Sequence, residues 1–427
     1  MSLLRPRTSL QALLLSLLLL GALGAPAQAQ LRPRPKSGLP ADRADEVLRL
    51  LGPEHLVREA WRTTKRNFYA PKLLQERNWD QALDRALNRA KGRTKAVEVH
   101  HVISDMLGEL QVSHLALLEF DVWQRELAQE FKNRPAIKAG CELSEVEGRY
   151  YACGVSEQSP AAKAGLLDGD EVVRIDGRAP AQSPALIDGG HDPGLPGSPS
   201  FSLRVSEGQP LKLTIRRRAD APLQELRLVP AATSLIESAR ASVRVEEVDG
   251  RRIGVMHLWH FIHPEIYRIA ERALTGPLRD ADALVLDVRG RGGSAWVVNA
   301  ILGLFRGRRA VWNKPVVVLT DAGTRSAKEI FAHRWKQAGL GPIVGERTQG
   351  ACIACQFFEL SDGSVLCLPI KDVRSLTGGV DLEGKGVEPD LRVTQLPLPY
   401  RAGEDRILKT GLRRAAELAG PTRREAF

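Results

Sequence analysis

The sequence predicts a multidomain α/β protein, on three observations about the spacing of its apolar residues. From Ala41 to about Gly108 they recur at every third or fourth position, the spacing of amphipathic helices. From Lys138 to Ala231 short apolar runs alternate with turn residues, which predicts a β-rich module. From Ser234 to Val393 buried-strand runs alternate with helical segments, as in an α/β core. A chain of 427 residues can hold three such regions.

The first residues predict an export signal. Arg5 and Arg7 precede an apolar run, Leu10–Ala25, and Ala27-Gln-Ala29 is a small-x-small cleavage site. We therefore expect residues 1–29 to be a signal peptide and residues 30–40 a flexible leader, in a periplasmic or secreted protein. The apolar run is too short for a stable membrane span.

The composition argues against several kinds of function. The formal net charge of +10 comes from scattered Arg-rich clusters without interleaved aromatic residues, so we expect no nucleic-acid binding. His257, His260 and His263 are three residues apart, and in a strand alternate members of such a set face opposite sides. Cys352 and Cys355 lack the second ligand pair of a zinc site. We predict neither a metal nor another cofactor.

Five cysteines in an exported protein suggest disulfide bonding. Cys141 and Cys153 flank a predicted hairpin that turns near Glu147-Gly148, which would place them nearly opposite each other. We expect a disulfide between these two. The pairing of Cys352, Cys355 and Cys367 stays open.

A candidate nucleophile stands between a strand and a helix. The apolar run Val316–Leu319 ends in a Gly-containing turn, and Ser326 then opens a helix. This order exposes a serine beside free helix N–H groups in α/β hydrolytic enzymes. Ser326-x-x-Glu329 is equally a capping box, in which the serine only caps the helix. Whether Ser326 is a nucleophile or only a helix cap depends on whether the rest of the chain provides a catalytic base.

The segment Ser159–Gly177 carries a more specific pattern. A Ser-Pro start, a short Ala-rich helix, a Gly stop and a Gly-Asp turn lead into a strand and an Asp-Gly turn. This run resembles the PDZ domain, which binds extended peptides by adding a strand to a sheet edge. The resemblance implies a PDZ-like peptide-binding module over residues 136–232, with Gly140 and Cys141 in the loop that receives a terminal carboxylate. The sequence Gln182–Phe201 predicts an inserted Gly/Pro-rich loop.

Nearly the whole chain after the leader resembles the tail-specific, or C-terminal processing, serine proteases. The motifs that carry the resemblance are Asp287-x-Arg-Gly-x-Gly-Gly293, Ser326-Ala-x-Glu-Ile330, Gly345-Glu-x-Thr348 and Gly386-Val-Glu-Pro-Asp390. The resemblance implies a helical N-terminal domain over residues 41–120, an α/β serine protease core of crotonase-like ββα units over 233–400, and a C-terminal helix within 401–427.

One departure from that family selects a branch of it. Ala351 stands where the better-known branch has its catalytic lysine. The chain is in this respect similar to the tricorn core proteases, which use a His from an Asp-Ser-His-type motif and a Glu shortly before Gly-Val-x-Pro-Asp. Ser113-His114 and Glu383 match these positions, although Val112 replaces the Asp.

The resemblance assigns a role to each of these residues. Ser326 would be the nucleophile and His114 the general base and then acid, while Ser113 and Glu383 would orient the histidine. An oxyanion hole would be formed by main-chain N–H groups. The residues expected in the oxyanion hole are Gly293, Ser294 and Ala327, and Gly292 is expected to contact the substrate.

The expected function is that of an exported serine endopeptidase that cleaves extended or unfolded polypeptides through an acyl-enzyme. Its partners would be proteins or peptides bound through extended C-terminal segments. The alternative is a catalytically silent PDZ-containing scaffold, which Ala351 and Val112 support. A Ser–Lys enzyme using Lys328 is less favoured, because two residues along a helix that side chain would face away from Ser326. Replacing Lys328 by Ala is accordingly expected to leave turnover largely intact.

Overall fold

The computed structural model describes residues 40–120, 122–189 and 200–420. The predicted signal peptide (1–29) and nearly all of the predicted leader lie outside these ranges, so export stays a prediction. In the described ranges, no helix is long and apolar enough to cross a membrane.

Five helices open the described chain, as the helical spacing predicts. Their buried apolar faces pack together around residues such as Leu56 and Ile103. The same core continues into a distant hairpin through Leu366 and Leu368. The helices are α1 (Pro40–Leu51), α2 (Pro53–Asn67), α3 (Pro71–Glu76), α4 (Trp79–Ala90) and α5 (Ala96–Gly108).

The strand β1 (Ala116–Leu118) follows α5 and joins the helical region to that hairpin. It pairs antiparallel with β17 (Val365–Asp372), whose other neighbour is β16 (Ile353–Glu359). Residues 109–115, which lie between α5 and β1, are therefore held against the β16–β17 hairpin. A π-helical segment, Val122–Leu127, and the short helix α6 (Ala128–Phe131) come next.

The predicted β-rich region forms a seven-stranded sheet in the order β6-β7-β3-β4-β5-β8-β9. A short helix, α7 (Pro160–Lys163), capped by Ser159, lies where the sequence predicts it. A separate pair joins β2 (Ala136–Lys138) to β10 (Ala231–Thr233). The strands are β3 (Glu142–Val146), β4 (Arg149–Cys153), β5 (Glu171–Ile175), β6 (Leu186–Asp188), β7 (Ser200–Leu203), β8 (Leu211–Arg216) and β9 (Gln224–Leu228).

The hairpin β3–β4 turns at Glu147-Gly148 as predicted, but the predicted Cys141–Cys153 disulfide is wrong for this structure. Cys153 lies opposite Glu142, so the two cysteines are offset by one register position. Because neighbouring strand residues point to opposite faces, this offset does not align the two thiols. Burial raises the pKa of the Cys153 thiol well above its usual range.

The predicted inserted loop Gln182–Phe201 contributes two strands of this sheet. Within it β6 and the start of β7 are ordered strands, while residues 190–199 lie outside the described residues. The strand β7 pairs with β3, with Leu143 opposite Phe201 and Ser144 opposite Ser200. The strand β3 is consequently flanked on both sides, by β4 and by β7.

The last region is a six-stranded sheet in the order β11-β12-β13-β14-β15-β18, parallel from β12 onward. Helices lie between the successive strands β12, β13 and β14, which is the alternation that the sequence predicts. The strands are β11 (Arg244–Val248), β12 (Arg251–His257), β13 (Ala283–Asp287), β14 (Val316–Thr320), β15 (Ile343–Gly345) and β18 (Leu391–Arg392).

Apolar layers cover both faces of this sheet. The last helix, which bears Ile407, packs on one face, and helices that bear residues such as Phe331 and Trp335 pack on the other. Because the strands are parallel, the loops that follow β13 and β14 emerge at the same edge, where such sheets carry their sites. The helices are α8 (Leu235–Ala241), α9 (Glu265–Thr275), α10 (Ala295–Gly303), α11 (Ala327–Gln337), α12 (Leu398–Arg401) and α13 (Arg406–Leu418).

Candidate active site

Ser326 occupies a strained turn immediately before α11. Its φ of 59° and ψ of −124° lie where side chains other than glycine are rarely found, and such strain clusters at functional sites. Its N–H donates to the carbonyl of Ala351 at 2.8 Å and to Oε2 of Glu329 at 3.1 Å. The capping-box interpretation is therefore right about Glu329, and it coexists with an unusual serine conformation.

Glu329 does more than cap the helix. Its side chain is fully buried, and besides the Ser326 N–H it accepts hydrogen bonds from the Thr348 hydroxyl (2.6 Å), the Gly350 N–H (2.7 Å) and the Ala351 N–H (2.8 Å). Burial raises the pKa of this carboxyl group. The carboxylate thereby fixes the 348–351 loop to the turn that holds Ser326.

The glycine loop after β13 lies against Ser326. A Cβ placed on Gly292 would come within 2.4 Å of the Ser326 Cβ, so only glycine fits there. The Ser294 N–H donates to the Phe261 carbonyl at 2.8 Å, and Gly292 accepts from the Phe261 N–H. Ser294 was expected as one possible oxyanion donor, but its N–H is engaged. The N–H groups of Gly293 and Ala327 have no acceptor among the residues described.

A second group of side chains joins two distant segments. Oε1 of Glu383 accepts from the Ser113 N–H at 2.9 Å, and its Oε2 accepts from the Ser113 hydroxyl at 3.0 Å. The Ser113 Oγ lies 2.8 Å from Nδ1 of His114. Because the single hydroxyl proton points to the carboxylate, Oγ must accept from an Nδ1–H, which leaves the lone pair of the histidine on Nε2. His114 is nearly buried and has a positive φ of 58°.

Two consecutive residues connect this group to the serine turn. The Cys352 N–H donates to Glu383 Oε2 at 2.7 Å, and the preceding carbonyl, that of Ala351, accepts from the Ser326 N–H. Burial, with a smaller contribution from Glu329, raises the pKa of the Cys352 thiol far above its usual range, so the thiol stays protonated. The side chains of Ser113, His114 and Glu383 and the main-chain N–H of Ser326 therefore belong to one hydrogen-bonded framework.

Val112, which departs from the related motif, is buried in the apolar core of the helical region. Its surroundings are apolar, so an aspartate at this position would need a polar partner. The hydrogen bonds of the framework come from Glu383 and Ser113, while position 112 contributes an apolar side chain to the core.

Lys328 lies in an environment that the sequence does not predict. It is fully buried, and its Nζ donates to the carbonyl of Arg289 at 2.8 Å, next to the glycine loop. Burial lowers the pKa of Lys328 to about 7. A buried lysine with a hydrogen bond cannot be replaced by Ala without leaving a cavity and an unsatisfied carbonyl, so we expect Lys328→Ala to lower stability. That it leaves turnover largely intact stays a prediction.

Gly140 and Cys141 border a cavity of about 80 Å³ that also touches Lys138 and Arg291. A Cβ on Gly140 would come within 2.2 Å of the Ser159 side chain, which shows how tightly this loop packs.

Comparison with known proteins supports the interpretation of the sequence. Residues 303–393 match peptidase family S41. Tricorn protease homolog 1 of Streptomyces coelicolor is 30% identical over 283 residues, 58% of this chain and 24% of that protein. The carboxy-terminal processing protease CtpB of Bacillus subtilis is 27% identical over 286 residues, 62% of this chain and 56% of that protein. The chain thus spans about a quarter of the length of the tricorn protease homolog and about half of the length of CtpB.

The fold agrees with these matches. The photosystem II D1 C-terminal processing protease has a TM-score of 0.50 and 20% identity to this chain, with 83% of this chain and 98% of that structure covered. Over residues 303–393 the chain thus matches the S41 peptidase family, and over longer stretches it is similar to the C-terminal processing and tricorn proteases.

Proposed function

We propose that the protein is an exported serine peptidase of the C-terminal processing type, which hydrolyses extended or unfolded polypeptides through an acyl-enzyme. The observation that carries the proposal is the framework from Glu383 through Ser113 to His114, joined to the Ser326 turn by Ala351 and Cys352. The relatives named above support the same class of reaction.

In the proposed mechanism His114 activates Ser326. Its Nδ1–H is held by the Ser113 hydroxyl, so Nε2 is the basic nitrogen that takes the Ser326 proton as the oxygen attacks the peptide carbonyl. The Glu383 carboxylate stabilises the imidazolium that forms, acting through Ser113.

The tetrahedral oxyanion would be stabilised by main-chain donors. The proposed donors are the N–H of Ala327, the residue after Ser326, and the N–H of Gly293, the residue after Gly292, and the packing of Gly292 against Ser326 supports this choice. Each such donor contributes roughly 3 kcal/mol to the transition state. His114 then donates its proton to the leaving amine, and a water molecule, deprotonated by His114, releases the acyl group from Ser326.

The second candidate function is the silent PDZ-containing scaffold, which Val112 and Ala351 favour. A silent protein has no need for a carboxylate that fixes the tautomer of a histidine through a serine. The peptidase therefore remains the better-supported function.

The decisive experiment compares the wild-type chain with Ser326→Ala on an unfolded protein substrate and on a fluorophosphonate probe. Exposed Ser206 supplies the matched control, Ser206→Ala. We expect Ser326→Ala to lose both cleavage and labelling, while Ser206→Ala keeps both. An inactive, unlabelled wild-type chain would favour the scaffold.

A further inference from the structure

The strand expected to receive a peptide already has a partner from its own chain. In a PDZ-like module the peptide pairs with the strand that follows the carboxylate-binding loop, here β3 after Gly140-Cys141. On one side β3 pairs with β4, and on the other with β7. The Phe201 ring of β7 packs against Tyr150 of β4, with ring centroids 5.4 Å apart.

The first residue of β7 also makes a polar contact at the base of this site. The Ser200 hydroxyl donates to Oε2 of Glu142, the first residue of β3, at 2.8 Å. The other carboxylate oxygen of Glu142 forms an ion pair with Arg291. Although burial raises the pKa of Glu142, Arg291 and Ser200 outweigh it and the pKa is lowered, so the carboxylate is charged.

Arg291 belongs to the glycine loop of the active site. It stands between Gly290 and Gly292, and Gly292 packs against Ser326. One hydrogen bond and one ion pair therefore lead from β7 to a loop that touches the proposed nucleophile. A peptide bound along β3 would displace β7 and would then contact Glu142 in place of Ser200.

We propose that β7 is a built-in occupant of the peptide-pairing edge, and that Ser200, Glu142 and Arg291 act as positioning residues that hold the active-site loop in place without a bound peptide. The inference rests on the proposed peptidase function for its kinetic consequence only. Its binding consequence, that the module does not take up a peptide C-terminus while β7 is in place, is independent of catalysis.

The kinetic test uses Glu142→Gln, which keeps the size of the side chain and removes its charge. Because misplacement of a catalytic loop slows chemistry, we expect kcat to fall roughly tenfold to a hundredfold, with KM within about twofold of wild type. Arg291→Gln should give the same fall, and the double variant no more than either, since the two residues act as a unit.

Glu225→Gln is the matched control, because Glu225 forms an exposed ion pair with Lys212 in the same sheet. It should leave kcat and KM unchanged. Unchanged kcat in Glu142→Gln, or an equal loss in Glu225→Gln, would overturn the positioning role.

The binding test is done in the Ser326→Ala background with a fluorescein-labelled decapeptide ending in a free carboxylate, and with its C-terminally amidated twin. Phe201→Pro removes the main-chain donor of the residue opposite Leu143 and so weakens the pairing of β7. Circular dichroism and the Tm check that the variant remains folded.

We expect the chain with intact β7 to show no saturable anisotropy change, and the Phe201→Pro chain to bind the free carboxylate but not the amide. Equal binding by both chains would show that β7 does not cover the site, and no binding by either would show that there is no peptide site to cover. Both results overturn the proposal. If the wild-type chain lacks peptidase activity, the proposed function fails while this binding test still stands.

Discussion

The two halves of the candidate site are built in opposite ways. The Ser326 turn is local: its N–H is held by Glu329, three residues later, and by the loop that ends at Ala351. The His114 half joins Ser113 to Glu383 across 270 residues of sequence. It exists only because the helical region docks on the β16–β17 hairpin. The first half is set by sequence neighbours, and the second by tertiary packing.

The largest expected effect tests whether the distant half is catalytic at all. His114→Ala should lower kcat/KM as much as Ser326→Ala does, by roughly four to six orders of magnitude, since members of a catalytic unit are not additive. Exposed His101 on α5 gives the control His101→Ala, which should behave as wild type. A His114→Ala enzyme that cleaves at the wild-type rate would reopen the Ser–Lys mechanism.

A smaller effect is expected from the orienting carboxylate. Glu383→Gln keeps the shape of the side chain but replaces one accepting oxygen with an amide –NH₂, which cannot accept a hydrogen bond. At least one of the three donors to Glu383 then loses its acceptor: the Ser113 N–H, the Ser113 hydroxyl or the Cys352 N–H. The histidine tautomer is then poorly fixed, so we expect kcat/KM to fall roughly a hundredfold. Glu388→Gln, which alters an exposed acid paired with Arg392, is the control. Equal activity of both variants would remove Glu383 from the mechanism.

The local half should show its importance in stability. Glu329→Gln places an amide among three main-chain N–H groups and a hydroxyl, and it leaves at least one buried donor unsatisfied. We expect the free energy of unfolding to fall by about 3 kcal/mol in urea denaturation. Glu417→Gln on the surface of α13 should change it by less than about 0.5 kcal/mol. No loss in Glu329→Gln would mean that the loop does not depend on this carboxylate.

The last effect is a dependence of stability on pH, and it concerns Lys328, beside the local half. Its pKa of about 7 lies below the ordinary value of 10.5, so between roughly pH 7 and 10 the unfolded chain holds a proton that the folded chain lacks. This group therefore makes stability rise with pH in that window, by up to about 1.4 kcal/mol per pH unit. Compared with wild type, Lys328→Met should lack this slope.

Lys336→Met, on the exposed side of the same helix, is the control and should keep the wild-type slope. Identical slopes in wild type and Lys328→Met would show that Lys328 is not titrating there. The same pKa has a consequence for kinetics, because a histidine base also titrates near neutral pH. A pH–rate profile of the wild-type chain would report both Lys328 and His114. The variants Lys328→Met and His114→Ala are therefore needed to assign the titration.

The sequence by itself determined the parts of the protein whose structure depends on neighbouring residues. The strand–turn–helix around Ser326, the Glu329 cap, the Glu147-Gly148 hairpin turn and the glycine loop after Asp287 all follow from spacing, propensity and hydrogen bonds over a few positions. The role of His114 came from a resemblance, since a Ser-His pair alone specifies nothing.

Only the tertiary structure decided the rest. The offset of Cys141 from Cys153 is a matter of register, and the burial of Lys328 depends on what packs over the helix face that carries it. The pairing of β7 with β3 closed an edge that the sequence left open, because an inserted Gly/Pro-rich segment carries no periodicity to reveal its partner. Register, burial and edge pairing are fixed by contacts between residues far apart in the chain, and a reading of spacing along the chain cannot supply them.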